Sequence, residues 1–431
     1  MSHLHELAFL SRQAALELAT LSAESRNQAL TCMASTLLRN KDQVFEANRE
    51  DLRRAEESGL AAPLLKRLRF DDEKLHQAVQ GLEELAKLED PLGRTTLARE
   101  LMPGLNLYRV SCPIGVIGII FESRPDALIQ ITSLALKSGN AVILKGGSEA
   151  METNRALYLC LRESAVSCGI PEHFASLLSS REDVAAMLKE DELIDLIIPR
   201  GSRSFVRYIM DNSRIPVLGH ADGLCHVYVD RDADLPMAEN VTVDSKTQNV
   251  SVCNAAETLL VHRDIAASFL PSVASKLRDK NVRLLGDAET GKIIRCEMAT
   301  EEDWSTEYLD WTLSIRIVPD LDAAIRHINQ YGSHHTDAII TENPDHAEHF
   351  MQGVDSSGVY WNCSTRFADG FAYGFGAEVG IATGKIHARG PMGLEGLTSY
   401  KYRLIGHGQT MTEVKLGHLS YTHRDLKGSM E

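Results

Sequence analysis

Little in this sequence points to a membrane, a metal or a nucleic acid. No apolar run approaches the roughly 18 residues of a transmembrane helix, so no membrane partner is expected. The opening stretch, MSHLHELAFLSRQAALELATLSAESRNQAL, is interrupted by Glu6, Arg12, Glu17 and Glu24 and reads as an amphipathic helix, not a signal peptide. Positive charge is in deficit: 45 Lys and Arg stand against 60 Asp and Glu, a net charge of -15. That argues against nucleic acid and anionic membranes as general partners, though a local basic or N–H-rich site can still hold a small anion. The cysteines at 32, 112, 160, 168, 225, 253, 296 and 363 form no CxxC pair and no short disulfide framework, which fits a reducing cytoplasm. His346 and His349 have HxxH spacing, but in the charged run PDHAEHF. His334 and His335 are adjacent and ill placed to share one ion. No metal site is expected.

Two nucleotide signatures are also missing. GxGxxG after a first strand is absent: neither GVIGIIF nor LKGGSEA satisfies it. GDAETGKI, 286 to 293, comes close to a phosphate loop but has Ile293 where a magnesium-ligating Ser or Thr is needed.

What is present is a large soluble α/β protein. The 431 residues, 44 % hydrophobic and 24 % charged, suggest two or three domains with sizeable cores. Leu7, Leu10, Ala14, Leu18, Leu21, Leu30, Met33 and Leu37 recur at helical spacing, so the first ~90 residues read as helices. Two extended runs flank Met102-Pro103-Gly104 and predict a hairpin over 97–110. From 113 strands and helices alternate. PIGVIGIIF reads as a strand buried on both faces, followed by a helix over 125–138 and the strand AVILK. A helix from about Glu149 to Ser167 follows, with Ser148 as its N-cap. ASLLS, LIDLIIP and CHVYVD complete a first series, which predicts a doubly wound parallel sheet. A second series from about 238 holds RLLG, LSIRIVPD, DAIITE and GVYWN. The last ~20 residues are polar and are expected to be loose.

Four stretches carry chemistry. Cys253, in SKTQNVSVCNAAETLLVH, follows residues that are polar or small apart from two valines and precedes a strand. Packing cysteines usually lie within an apolar run, so this one is a candidate nucleophile. In ILKGGSEA, Lys145 ends a strand, and two glycines then let a ligand approach the backbone, an arrangement suited to an adenosine ribose or phosphate; an ordinary turn with an exposed lysine is the plainer reading. In IPRGSR, Gly201 and Ser202 open a helix whose N–H groups could meet a pyrophosphate, with Arg200 and Arg203 adding charge. Residues 361–397 hold eight glycines among Arg366, Lys385, His387 and Arg389, a density that suggests a binding loop.

Together PIGVIGIIFESRPD, KSGNAVILKGGSE, LIIPRGS, CNAAETLLVH, DSSGVYWNCSTRFADG and GFGAEVGIATGKIHARGPMGLEGLTSYKY resemble the aldehyde dehydrogenase superfamily, and within it the glutamyl phosphate reductase family, over nearly the whole chain to about Ile405. The resemblance implies NADPH-dependent reduction of L-glutamyl 5-phosphate to L-glutamate 5-semialdehyde and phosphate, the second step of proline biosynthesis. It implies an aldehyde dehydrogenase-like α/β fold: an NADP-binding domain at 1–96 and 113–237, a catalytic domain at 238–398, a hairpin and C-terminal strand for oligomerisation at 97–112 and 399–407, and a polar tail at 408–431. It implies Cys253 as nucleophile, with its own N–H as an oxyanion donor. Lys145, Gly201, Ser202 and Glu307 would hold NADP; Ser123, Arg124, Ser364 and Arg366 would hold the substrate. A homo-oligomer and an association with glutamate 5-kinase are the implied protein partners. Ordinary members carry a glutamate general base in a Glu-Leu-Gly-Gly motif; PVLGHADG has Val217 there, which fits a reductase that must not hydrolyse its thioester. A hydrolytic semialdehyde dehydrogenase and an inactive binding protein are the alternative readings.

Overall fold

A computed structural model describes residues 3–426 apart from 123, 181, 220, 221 and 377. The N-terminal helices are His3–Leu18, Ala23–Arg39, Lys41–Glu57, Ala62–Leu68 and Asp72–Lys87, two of them with a side-chain cap. Ser22 accepts from the N–H of Ser25, and Asp71 from that of Lys74, each satisfying a helix-end donor. His3–Leu18 packs on a four-stranded parallel sheet in the order Ala175–Leu178, Ala141–Gly146, Val116–Phe121, Leu196–Arg200, while Ala23–Arg39, Lys41–Glu57 and Asp72–Lys87 pack on the helices Pro125–Lys137 and Met151–Ser167. Val116–Phe121 and Ala141–Gly146 are buried at every position, as continuous apolar runs in a parallel sheet require.

The second sheet has seven strands in the order Glu297–Met298, Arg283–Gly286, Thr312–Val318, Ala256–His262, Cys225–Val229, Thr336–Ile340, Gly358–Trp361. Every neighbouring pair is parallel. This corrects the expectation that CHVYVD closes the first series. Cys225–Val229 lies in the middle of the second sheet, between Ala256–His262 and Thr336–Ile340, so the chain changes domain before residue 225 and not near 237. An apolar strand pattern records burial on two faces and carries no label for the sheet it joins.

A third, antiparallel sheet stands apart from both. Thr95–Met102 and Leu105–Pro113 pair around the Pro103-Gly104 turn, and Thr398–Ile405 adds along Leu105–Pro113 from Ile405↔Asn106 to Thr398↔Pro113. The tail is not loose through residue 426. Thr410 and Glu413 form a capping box on the helix Met411–Lys415, and Arg424–Asp425 pairs with Arg99 and Glu100 on the far edge of the sheet. Ser148 opens a short 3-10 turn, and the following helix, Met151–Ser167, starts from Ala150 without a side-chain cap.

Candidate active site

Cys253 lies on a loop between the helix Leu235–Thr247 and the strand Ala256–His262. Both ends of that loop are fixed. Lys246, at the end of the helix, meets Glu257, at the start of the strand, in a fully buried ion pair with Nζ 2.6 Å from Oε2. The second carboxylate oxygen of Glu257 accepts from the N–H of Leu309 at 3.2 Å. Burial pushes the Glu257 carboxyl up to about 7, against the pull of Lys246. The loop is also tied sideways: Asn254 donates to the carbonyl of Ala368 at 3.0 Å, and Thr365 donates to the carbonyl of Asn254 at 2.7 Å.

Gly223 packs directly on the Cys253 loop. A Cβ there would sit 2.4 Å from Cβ of Cys253, so no larger residue fits. The N–H of Gly223 donates to Glu307 at 2.9 Å. Glu307 therefore lies beside the Cys253 loop and braces the peptide against which that loop rests. The Sγ of Cys253 is 3.2 Å from Nε2 of His335. Cys225 donates to the carbonyl of Cys253 at 3.3 Å, and its thiol is driven far above the ordinary range by burial.

Two arginines carry charges that interact with the Cys253 thiol. The Arg366 guanidinium donates through Nε to Gln248 at 2.9 Å; burial lowers its affinity for protons, and the nearby Cys253 and Asp369 oppose this. Arg200 is lowered by burial and then by Arg124, with Glu378 and Cys253 opposing. Arg124 precedes the helix Pro125–Lys137, is exposed, and comes near Arg200 in this way. Ser364 is different. It is buried, accepts from Ser245 at 3.1 Å and from the N–H of Arg366 at 3.3 Å, and so holds the turn that carries Arg366. Ser123 lies outside the described residues. Arg389 is pinned to Asp355, through its carbonyl at 3.1 Å and its carboxylate at 3.2 Å, while His387 is exposed.

On the other domain a cleft of about 400 Å³ opens at the ends of the first sheet. Lys145, Gly146, Gly147, Ser148 and Glu149 line one side; Val184, Phe205 and Tyr208 line an apolar side. The apolar wall suits a flat base, and Lys145 with Glu149 suits the sugar and phosphate of a dinucleotide. Gly201 and Ser202 sit at the start of the helix Arg203–Asn212. The Ser202 N–H already donates to the Glu122 carboxylate at 3.1 Å, and a Cβ on Gly201 would lie 2.5 Å from the same oxygen. A carboxylate thus occupies the place at this helix start where an anionic group is favoured. Val217 bridges to Ile197 and packs on the first core.

Sequence reasoning missed Lys246, Glu257 and His335. Lys246 and Glu257 stand on either side of Cys253 in the chain, one basic and one acidic, and that flanking was the signal available. His335 had no signal beyond its type. Asp230, Asp232 and His346 bring ligand-type atoms within 4.8 Å of one another, yet Asp230 is already engaged by Tyr228, Thr341 and His346. His349 turns away to Asp322.

Known proteins place this arrangement. Residues 8–297 match the model of the aldehyde dehydrogenase family. The chain is 58% identical over 421 residues to the gamma-glutamyl phosphate reductase of Acetivibrio thermocellus, covering 98% of each chain. It is 54% identical over 427 residues to gamma-glutamyl phosphate reductase 1 of Synechocystis, covering 99% of each. The crystal structure of gamma-glutamyl phosphate reductase from Thermotoga maritima matches with a TM-score of 0.93 at 40% identity, over 95% of this chain and 100% of that one. A propionaldehyde dehydrogenase from Rhodopseudomonas palustris shares the fold at 15% identity and a TM-score of 0.63, over 93% of this chain and 96% of that one. The expected fold class, two parallel-sheet α/β domains with a small β element, is the one observed. The chain belongs to the aldehyde dehydrogenase family, within the branch formed by the gamma-glutamyl phosphate reductases.

Proposed function

We propose that this protein reduces L-glutamyl 5-phosphate to L-glutamate 5-semialdehyde with release of phosphate, through a thioester on Cys253. One observation carries the reading: a partly exposed thiol sits on a loop locked at both ends and tied to the turn that carries Arg366. A thiolate attacks the acyl carbon, the C–S bond forms, and the C–O bond to phosphate breaks. Cations near the thiol stabilise both the approach and the departure of an anion. The backbone N–H of Cys253 is one candidate donor to the oxyanion. Arg124 and Arg366 are the proposed substrate grips; Ser364 supports Arg366 from behind.

Lys145 and Glu149, with the wall of Val184, Phe205 and Tyr208, fit a nicotinamide dinucleotide. NADPH bound there supplies the hydride that takes the acyl group to the aldehyde level. The charge of Lys145 favours the phosphorylated form of the cofactor, while the carboxylate of Glu149 favours a free ribose hydroxyl. Gly201 and Ser202 serve the pyrophosphate once the Glu122 carboxylate gives way, and Glu307 contacts the nicotinamide end while it braces Gly223. Val217 leaves an apolar side chain where ordinary members hold the base that activates water.

The strand Thr398–Ile405 presents Tyr400, Tyr402 and Leu404, each more than half exposed, on an open sheet edge, which supports a homo-oligomer. A labile acyl phosphate gives reason for contact with the glutamate 5-kinase that makes it. Eight free thiols suit the cytoplasm, and among the described residues no helix is long and apolar enough to cross a membrane.

The test runs the reaction backwards. Glutamate semialdehyde and NADP are supplied at varied phosphate, beside a Cys253→Ala variant. Strict dependence of NADPH formation on phosphate, abolished in the variant, is the expected result. NADPH formed without phosphate would mean that water takes the thioester and would sink the reading in favour of a hydrolytic dehydrogenase.

A further inference from the structure

The order of the second sheet brings three chain segments side by side. Cys253 precedes the strand Ala256–His262, Cys225 begins the strand Cys225–Val229, and His335 precedes the strand Thr336–Ile340; these are adjacent strands, all parallel. Their N-terminal ends therefore meet at one place, although Cys253 and His335 are 82 residues apart.

We infer that His335 is the catalytic base that takes the Cys253 proton, an inference that rests on the acyl phosphate reductase reading above. Nε2 lies 3.2 Å from Sγ, within the reach of proton transfer. The ring is fully buried and held from its other side. Nδ1 lies 3.0 Å from the Thr336 hydroxyl oxygen, so a proton on Nδ1 can be donated there and leaves Nε2 as the acceptor. The carbonyl of His335 accepts from the N–H of Gly358 at 3.0 Å and from the Ser357 hydroxyl, which fixes the backbone.

The neighbours leave this role to His335. Cys225 approaches Nδ1 at 3.7 Å but is a buried thiol that donates to the Cys253 carbonyl. Asp337 is occupied by His226 at 2.8 Å and by Ser356. The charges of Arg366 and Arg200 act at Cys253 and favour the sulfur anion once the proton has gone. Val217 removes the carboxylate that would otherwise compete for the task.

The step balances. The Sγ proton passes to Nε2, and its bonding pair stays on sulfur. The C–S bond forms as the acyl C–O bond breaks, the electron pair leaves on the phosphate oxygen, and the imidazolium proton goes to that oxygen. After hydride has been accepted from NADPH, the thiohemiacetal collapses: C=O re-forms, the C–S pair returns to sulfur, and a solvent proton restores the thiol.

His335→Gln keeps the size and one polar nitrogen but cannot take a proton. The apo chain is alkylated with iodoacetamide across a range of pH, and modification of the Cys253 peptide is followed by mass spectrometry. The expected result is alkylation at pH 7 slowed roughly tenfold or more, with the whole profile moved to higher pH. Turnover should fall on the order of 10²- to 10⁴-fold, with little change in KM for the cofactor. Superposable alkylation profiles for variant and wild type would overturn the proposal. Should the variant fail to fold, Thr336→Val tests the same ring through its Nδ1 partner and should slow alkylation several-fold. A wild-type Cys253 that alkylates with the pH profile of free glutathione also overturns it. A His335-dependent profile without phosphate-dependent turnover would sink the functional reading and leave His335 as the base; the converse would do the reverse.

Discussion

The two parallel sheets handle polarity in opposite ways. In the first, Val116–Phe121 and Ala141–Gly146 are buried and apolar until Lys145, and the cleft is made from the loops and helix starts beyond the strand ends. In the second, buried polar groups sit in the sheet itself: His226, Glu257, Thr258, Ser314 and Asp337 are all shielded from solvent. A half that binds can use an apolar scaffold and present loops and backbone. On the function proposed above, the second half makes and breaks a covalent bond, which needs charges and proton acceptors held in place, and burial with satisfied partners supplies that rigidity.

The comparison can be broken most sharply at Glu257. Glu257→Gln leaves the Lys246 ammonium buried without a counter-charge and should cost about 3–5 kcal/mol. Urea unfolding measures it, and a Lys246→Met, Glu257→Gln double variant should recover a large part. A loss near zero would mean that the pair is not buried in solution. A smaller effect is expected at His327. Burial pushes this ring down to about 2 from 6.5. Above pH 6.5 it is neutral folded and unfolded. Below that the unfolded chain takes a proton that the folded ring refuses, so stability drains as pH falls toward 2. Between pH 7 and pH 5 the loss is about 2 kcal/mol, and His327→Gln should flatten that part of the stability curve. The smallest effect belongs to the binding half. Lys145→Met should raise KM for the nicotinamide cofactor roughly tenfold, about 1.4 kcal/mol, with the unfolding midpoint in urea nearly unchanged. A variant that loses stability instead would give Lys145 a structural part and weaken the contrast.

The same contrast explains what could be read from the chain. PIGVIGIIF and AVILK declare buried parallel strands because nothing polar interrupts them. The hairpin was legible from Pro103-Gly104, and Cys253 from its polar approach to a strand. Lys246 and Glu257 were hidden because a charged residue in a one-dimensional pattern reads as exposed, and His335 because nothing in its neighbourhood of sequence sets it apart. Only the folded helix-to-strand return shows that Lys246 and Glu257 meet, and only the strand order shows that His335 lies beside a thiol 82 residues away. The misplacement of CHVYVD has the same root: pairing partners are a property of the sheet, not of the strand. The tail was expected to be loose on its polarity, yet Arg424–Asp425 pairs with Arg99 and Glu100 through the backbone and through the ion pairs Arg99–Asp425 and Arg424–Glu100, partners that composition does not reveal.

One consequence of the domain crossing concerns insertions. The segment that leaves the first sheet and enters the second passes through Gly223, which is wedged against Cys253 and hung from Glu307. The connector between the halves is therefore also part of the wall around the sulfur. A single residue inserted beside Gly223 would lift the backbone off Cys253 and break its hydrogen bond to Glu307.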